Sequence, residues 1–168
     1  GDLLEDPSEG SAAWERAAEL FRDRLDDAAA CDHALARSVA RDLRRSSAFV
    51  ALFRRVRDKK DPQALLELVD RRLPFADDPG ELVLLNWERA RALRTLGDRE
   101  GALAALVAVT SRSPNHIGAL ALTGEIQIGL GQFGAAAAAL AKLAASEEAP
   151  AKQRLMSGVA AADLFETK

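Results

Sequence analysis

The stretches LRTLGDREGALAALVAV at residues 93–109 and QIGLGQFGAAAAALAKL at residues 127–143 match each other at a constant offset. The matched pairs, each separated by 34 positions, are Leu96 and Leu130, Gly97 and Gly131, Ala102 and Ala136, Leu106 and Leu140, and Val109 and Leu143. Ala90, Gly124 and Gly158 continue the same spacing. A fixed period of this length indicates repeated supersecondary units, each too small to bury its own apolar face.

Each period reads as helix, tight turn and helix. Gly97 and Gly131 follow the first helical pattern at the position where glycine commonly ends a helix. Ala136, Leu140 and Leu143 then recur at helical spacing on one face of the second helix. The chain has no tyrosine and is dominated by alanine, leucine, arginine and glutamate, which all favour helices. We therefore predict an all-α chain.

The repeat predicts four helix pairs and one additional helix. The pairs cover about residues 11–45, 46–82, 83–116 and 117–150, and the additional helix lies in 151–168. We expect them to form a single domain over residues 1–168, as a fragment of a longer chain. Because the last helix has no predicted partner, the apolar stripe around Leu155, Val159 and Leu164 is left without a cover. Further repeats or self-association through this helix are the two expected solutions.

These repeats resemble the tetratricopeptide repeat family. The residues that carry the resemblance are Trp14, Ala17, Ala18 and Phe21 in the first repeat, Leu96, Gly97, Asp98, Ala102, Leu106, Val109 and Pro114 in the third, and Leu120, Gly124, Gly131, Ala136, Leu140 and Leu143 in the fourth. The resemblance implies an α-solenoid with a right-handed superhelix, and a non-catalytic role in binding other proteins. Gly124 and Ala136 are expected to allow two helices to approach closely, because neither has a bulky side chain.

Composition and charge exclude several classes of protein. The 168 residues carry a formal net charge of −3, which disfavours a nucleic-acid-binding protein that uses its whole surface. No apolar run approaches the ~20 residues that a membrane span requires. Cys31 is the single cysteine, so no internal disulfide can form and no oxidising compartment is indicated. We expect a cytoplasmic protein.

Two patterns suggest a cofactor or a metal, and each has a simpler interpretation. Gly129, Gly131 and Gly134 spell G-x-G-x-x-G, but a dinucleotide-binding loop needs a preceding strand, and the repeat predicts a helix there. Cys31 and His33 lie two positions apart, so on a helix they point to different faces and make a poor ligand pair. We therefore predict no cofactor, no metal site and no enzymatic activity.

The resemblance implies a partner-binding surface, because the first helices of tetratricopeptide repeats line a concave groove. The groove positions proposed on this basis are Arg54, Arg57, Trp87, Arg91, Arg94 and Glu125. Arginines beside an aromatic anchor are typical of peptide-binding surfaces. The expected partner is a protein, through a peptide or a helix with acidic groups. The alternative interpretation is that these side chains are merely solvated charges on helix faces.

Two further functions stay open at the level of sequence. Residues 41–60 contain eight basic and two acidic side chains, a local charge that would suit an RNA-binding helical repeat. The overall acidity makes nucleic acid the less favoured partner. The chain is also compatible with a structural or regulatory arm of a larger multidomain protein.

Overall fold

The computed structural model describes residues 6–44 and 46–166, and within them every regular element is helical. The α-helices are α1 (Pro7–Asp23), α2 (Ala28–Arg41), α3 (Ser46–Asp58), α4 (Pro62–Arg72), α5 (Pro79–Leu96), α6 (Arg99–Arg112), α7 (Ile117–Gly129), α8 (Phe133–Ala145) and α9 (Ala151–Glu166), with a short 3₁₀ turn at Leu73–Phe75. The all-α prediction is confirmed. Within the described part of the chain, no helix has the length and apolar character that would let it cross a membrane.

The chain forms two compact units, which we call the N-terminal unit, ending at Asp77, and the C-terminal unit, beginning at Asp78. The N-terminal unit contains the pairs α1–α2 and α3–α4. The C-terminal unit contains the pairs α5–α6 and α7–α8, followed by α9 packed on α8. Helix α5 begins at Pro79, earlier than position 83 where the repeat period starts the third pair.

Aspartates define most helix starts, and the two glycines of the repeat define helix ends. Asp27, Asp61 and Asp98 each accept a hydrogen bond from a backbone N–H three residues ahead, which satisfies one of the donors exposed at a helix N-terminus. Gly97 and Gly131 have φ of 89° and 72°, in the left-handed region that favours glycine. The matching conformation at these two sites confirms that the sequence period reflects a structural repeat.

The core of the C-terminal unit is built from the repeat positions themselves. Ala102, Leu106 and Val109 are buried, as are their counterparts Ala136, Leu140 and Leu143. Gly124 of α7 lies directly against Leu140 of α8, and a Cβ atom placed on Gly124 would lie 2.9 Å from the Leu140 Cγ. The expectation that Gly124 permits a close helix approach is confirmed.

The N-terminal unit has a buried polar contact between its first two helices. The Ser11 and Ser38 hydroxyls are 2.9 Å apart, and Ser38 also donates to the Ser11 carbonyl at 2.9 Å. Both side chains are fully buried. Small hydroxyl side chains at this crossing let α1 and α2 approach while their polar atoms remain satisfied.

Candidate functional site

Two of the six proposed groove residues lie in the N-terminal unit and four lie in the C-terminal unit. Arg54 and Arg57 lie on α3 of the N-terminal unit. Trp87, Arg91 and Arg94 lie on α5 of the C-terminal unit, and Glu125 lies on α7 of the same unit.

Arg54 lines a cleft of about 350 Å³ formed by α1, α2 and α3. Small and apolar side chains line part of the cleft, with Ala18, Leu35 and Ala51 among them. The charged lining residues are Glu15, Glu19, Arg22, Arg54 and Arg55. Glu15, Glu19 and Arg22 lie on α1, so folding brings one face of α1 and the Arg54 face of α3 to one cleft.

Two of the three arginines that line this cleft are already engaged within the unit. Arg22 forms an ion pair with Asp23, at 2.7 Å from Nε to Oδ1. Arg55 pairs with Asp32 of α2. Among the described residues, Arg54 forms neither a hydrogen bond nor an ion pair, and its side chain is exposed. Arg54 is therefore the one arginine of this cleft that has no hydrogen bond or ion pair among the described residues.

Arg57 is positioned differently from Arg54. It does not line the cleft, and its guanidinium carbon lies 5.8 Å from the centre of the Phe53 ring. Phe53 is buried, so the arginine covers the edge of the core while its charge stays in solvent.

The basic segment at 41–60 is partly neutralised by an ion-pair cluster between α2 and α3. Asp32 accepts hydrogen bonds from both Arg55 and Lys59. Burial raises the pKa of Asp32, but the two cationic donors outweigh burial, so this pKa lies below its usual range. Two of the basic residues that suggested RNA binding therefore hold two helices together.

In the C-terminal unit, Trp87 lies in a fixed position between α5 and α7. Its ring centre is 5.0 Å from that of His116, whose Nδ1 accepts a hydrogen bond from the Ala119 N–H at the start of α7. A Cβ atom placed on Gly118 would lie 2.8 Å from the Trp87 ring. Gly118 thus leaves the space that the indole occupies.

Arg91 and Arg94 are each paired with a carboxylate. Arg91 Nη1 donates to both oxygens of Glu88, at 3.0 and 3.3 Å, and its guanidinium carbon lies 5.9 Å from the Trp87 ring centre. Arg94 forms an ion pair with Glu125 on α7. The four side chains carry no net charge together, so the predicted pair of arginines does not form a positively charged clamp.

Glu88 is a site residue that the sequence reasoning missed. It is only 4% exposed, although glutamate is rarely buried without a partner. The sequence signal was the spacing of three residues between Glu88 and Arg91, which places the two side chains next to each other on a helix.

The glycine-rich stretch is a joint between helices. Helix α7 ends at Gly129 and α8 begins at Phe133. A strand-to-helix phosphate loop is therefore absent at this place in the chain. Within residues 6–44 and 46–166, no cluster of three or more histidine, cysteine, aspartate or glutamate side chains has the geometry to hold a metal ion.

Comparison with known proteins identifies the fold. No protein-family model matches the chain, and no curated protein sequence matches it. Solved structures do match. The crystal structure of MamA protein shares 14% identity over 94% of this chain and 89% of that chain, with a TM-score of 0.68. A tetratricopeptide repeat protein from Parabacteroides merdae shares 18% identity over 95% of this chain, with a TM-score of 0.67, and this chain covers 61% of its length.

A third similar structure is PilW, a type IV pilus biogenesis factor, with 17% identity over 98% of this chain and 74% of that chain and a TM-score of 0.59. Identities of this size establish a common fold. Together with the 34-residue period and the repeated left-handed glycines, they show that this chain has the tetratricopeptide-repeat fold, an α-solenoid architecture of helix pairs.

Proposed function

We propose that this chain is a non-catalytic protein–protein interaction module that binds a peptide or a helix of a partner protein. The observation that carries the proposal is the cleft between α1, α2 and α3, where the unengaged Arg54 faces an opening with small apolar walls. A cleft with apolar walls and a few charged groups is suited to holding one or two side chains of an extended or helical ligand.

The charges of the cleft define the ligand more closely. Arg54 would bind an acidic group of the partner by a charge-assisted hydrogen bond. Glu19 is exposed in the same cleft and would bind a neighbouring basic group. The preferred ligand is therefore a peptide that carries both signs of charge around a small apolar residue.

The surface around Trp87 would bind a second element of the partner. Trp87 supplies apolar area that is already held in place by His116, so little side-chain entropy is lost on binding. Arg94 and Glu125 are both exposed, and a partner carboxylate can compete for Arg94 at low cost. Arg91 is less available, because its removal from Glu88 would leave a buried carboxylate without its cation.

Selection of peptides from a random displayed library on the immobilised protein tests the proposal. Affinities of the enriched peptides are then measured by calorimetry for the wild type, Arg54→Glu and Arg71→Glu. Arg71 is an exposed arginine of α4 outside the cleft, and its variant undergoes the same charge change. We expect Arg54→Glu to weaken binding at least tenfold, about 1.4 kcal/mol, and Arg71→Glu to have no effect.

Equal affinities of the two variants, or a library without any enriched peptide, would contradict the proposal. The Trp87 surface has its own test. Trp87→Ala and Arg94→Glu should each lower the affinity for peptides selected on the wild type. The double variant Arg94→Glu with Glu125→Arg should recover the local ion pair and the folded stability. It should not recover the binding of a carboxylate at position 94. Circular dichroism confirms that each variant is folded.

A further inference from the structure

The last helix, α9, has an exposed apolar ridge on the face away from α8. Its buried residues are Ser157 and Ala161. On the other side, Leu155, Met156 and Val159 are 69%, 62% and 54% exposed. Side chains three and four positions apart are neighbours on a helix, so these three form one patch. Large apolar side chains grouped in this way mark an interaction surface.

A shallow groove lies beside this ridge. It has a volume of about 540 Å³, and four small residues of α8 and α9 line it together with Arg154: Ala144, Ala151, Gly158 and Ala162. Leu155 and Val159 form its edge. Gly158 approaches α8 closely, since a Cβ atom there would lie 3.6 Å from the Ala144 Cβ. The helix thus carries a ridge of large side chains and a groove of small ones next to each other.

A ridge adjacent to a groove on the same helix is self-complementary. Under two-fold symmetry, the ridge of one copy meets the groove of the second, and the reverse contact forms at the same time. A different partner would need a matching pair of features of its own, whereas a second copy of this chain supplies both.

The charges on the exposed face of α9 favour an antiparallel second copy. Lys152 lies near the N-terminal end of this face, and Asp163 and Glu166 lie near its C-terminal end. Both placements are opposite to those that the helix dipole favours. An antiparallel copy brings Lys152 close to the acidic end of its partner, while a parallel copy would place like charges together.

We propose that this chain self-associates as a two-fold dimer through antiparallel packing of α9 against α9 of a second copy. Leu155, Met156 and Val159 of each copy occupy the Ala144, Ala151, Gly158 and Ala162 groove of the other. Lys152 and Glu166 form attractive contacts at the two ends of the interface. This property is independent of peptide binding in the clefts and goes beyond the proposed function.

Sedimentation equilibrium of the 168-residue chain, over about 1–500 µM, tests the proposal. We expect a monomer–dimer equilibrium in the wild type and at least a hundredfold higher dissociation constant for Val159→Glu. Val107→Glu is the matched control, because Val107 on α6 is 63% exposed and undergoes the same change of side chain. This control should dimerise like the wild type. A wild type that stays monomeric up to about 500 µM, or equal effects of the two substitutions, would overturn the proposal.

Charge reversal tests the antiparallel orientation. Lys152→Glu replaces two attractive contacts of an antiparallel dimer by two repulsive ones, so we expect about a tenfold weaker dimer, and the double variant Lys152→Glu with Glu166→Lys should recover it. In a parallel dimer, Lys152→Glu exchanges one like-charge contact for another and leaves the affinity unchanged. An unchanged affinity would therefore refute the orientation that we propose.

Discussion

Replacement of Gly124 by alanine tests the close approach of α7 and α8. A Cβ atom at this position would lie 2.9 Å from both Cγ and Cδ2 of Leu140. Ordinary carbon contacts begin near 3.5 Å, so α7 or Leu140 must move by about 0.5 Å. Rotation about the Cβ–Cγ bond of Leu140 leaves Cγ in place, and rotation about its Cα–Cβ bond would push a buried side chain into its neighbours in the core.

The expected loss of stability follows from two opposing effects. Overpacking of this kind costs about 1–3 kcal/mol. Alanine has a higher helix propensity than glycine, which returns up to about 1 kcal/mol. We therefore expect the free energy of unfolding of Gly124→Ala to fall by about 1 kcal/mol, measured by urea denaturation.

Gly129→Ala is the matched control for the propensity effect. Gly129 is in the last turn of the same helix, and a Cβ atom there would meet only the Arg99 side chain, at 3.7 Å. This variant should be as stable as the wild type or more stable. In a Leu140→Ala background, Gly124→Ala should change sign and become stabilising, because the clashing atoms are gone. Equal stabilities of the two alanine variants would refute the packing argument.

Two further predictions concern the sites. Gly118→Ala should displace the Trp87 ring, because the added methyl group would lie 2.8 Å from it. In a Trp14→Phe background, which leaves Trp87 as the only tryptophan, the fluorescence emission should therefore shift to longer wavelength. An unchanged spectrum would contradict the proposed contact. Asp32→Asn should destabilise the N-terminal unit at neutral pH. Because the pKa of Asp32 is lowered in the folded state, its stabilising effect is complete above the unfolded pKa of about 3.9 and is lost as the pH falls through the lower, folded value. The stability gap between wild type and Asp32→Asn should therefore narrow below about pH 4, and a gap that is constant down to about pH 2 would contradict this reasoning.

Local signals in the sequence were sufficient for the helices and their turns. The glycines at 97 and 131 end helices as predicted, and the aspartate at 98 begins one, because capping depends on residues within one turn of each other. The burial of Ala102, Leu106 and Val109 also follows from their helical spacing. The period did not predict the start of α5, because Asp78 caps the helix and Pro79 begins it, before position 83 where the repeat starts.

The sequence predicted which residues belong to the candidate site but not which interactions their side chains form. Arg54 lines a cleft and has no partner among the described residues, whereas Arg57 at a similar helical position covers Phe53. The sequence also gives no indication that Arg94 is paired with Glu125, which lies 31 positions away. Pairing across such a distance depends on how α5 and α7 pack, and no local pattern encodes it.

By itself, therefore, the sequence determined an all-α chain of helix pairs, because periodicity, caps and turn glycines act over a few residues. Tertiary structure alone decided which charges remain available. Arg55 and Arg94 are held by Asp32 and Glu125, each on another helix, while Arg54 has no such partner among the described residues. The physical reason is that these ion pairs depend on distances between separate helices, and helix packing sets those distances, as in the close approach of Gly124 to Leu140 in the C-terminal unit.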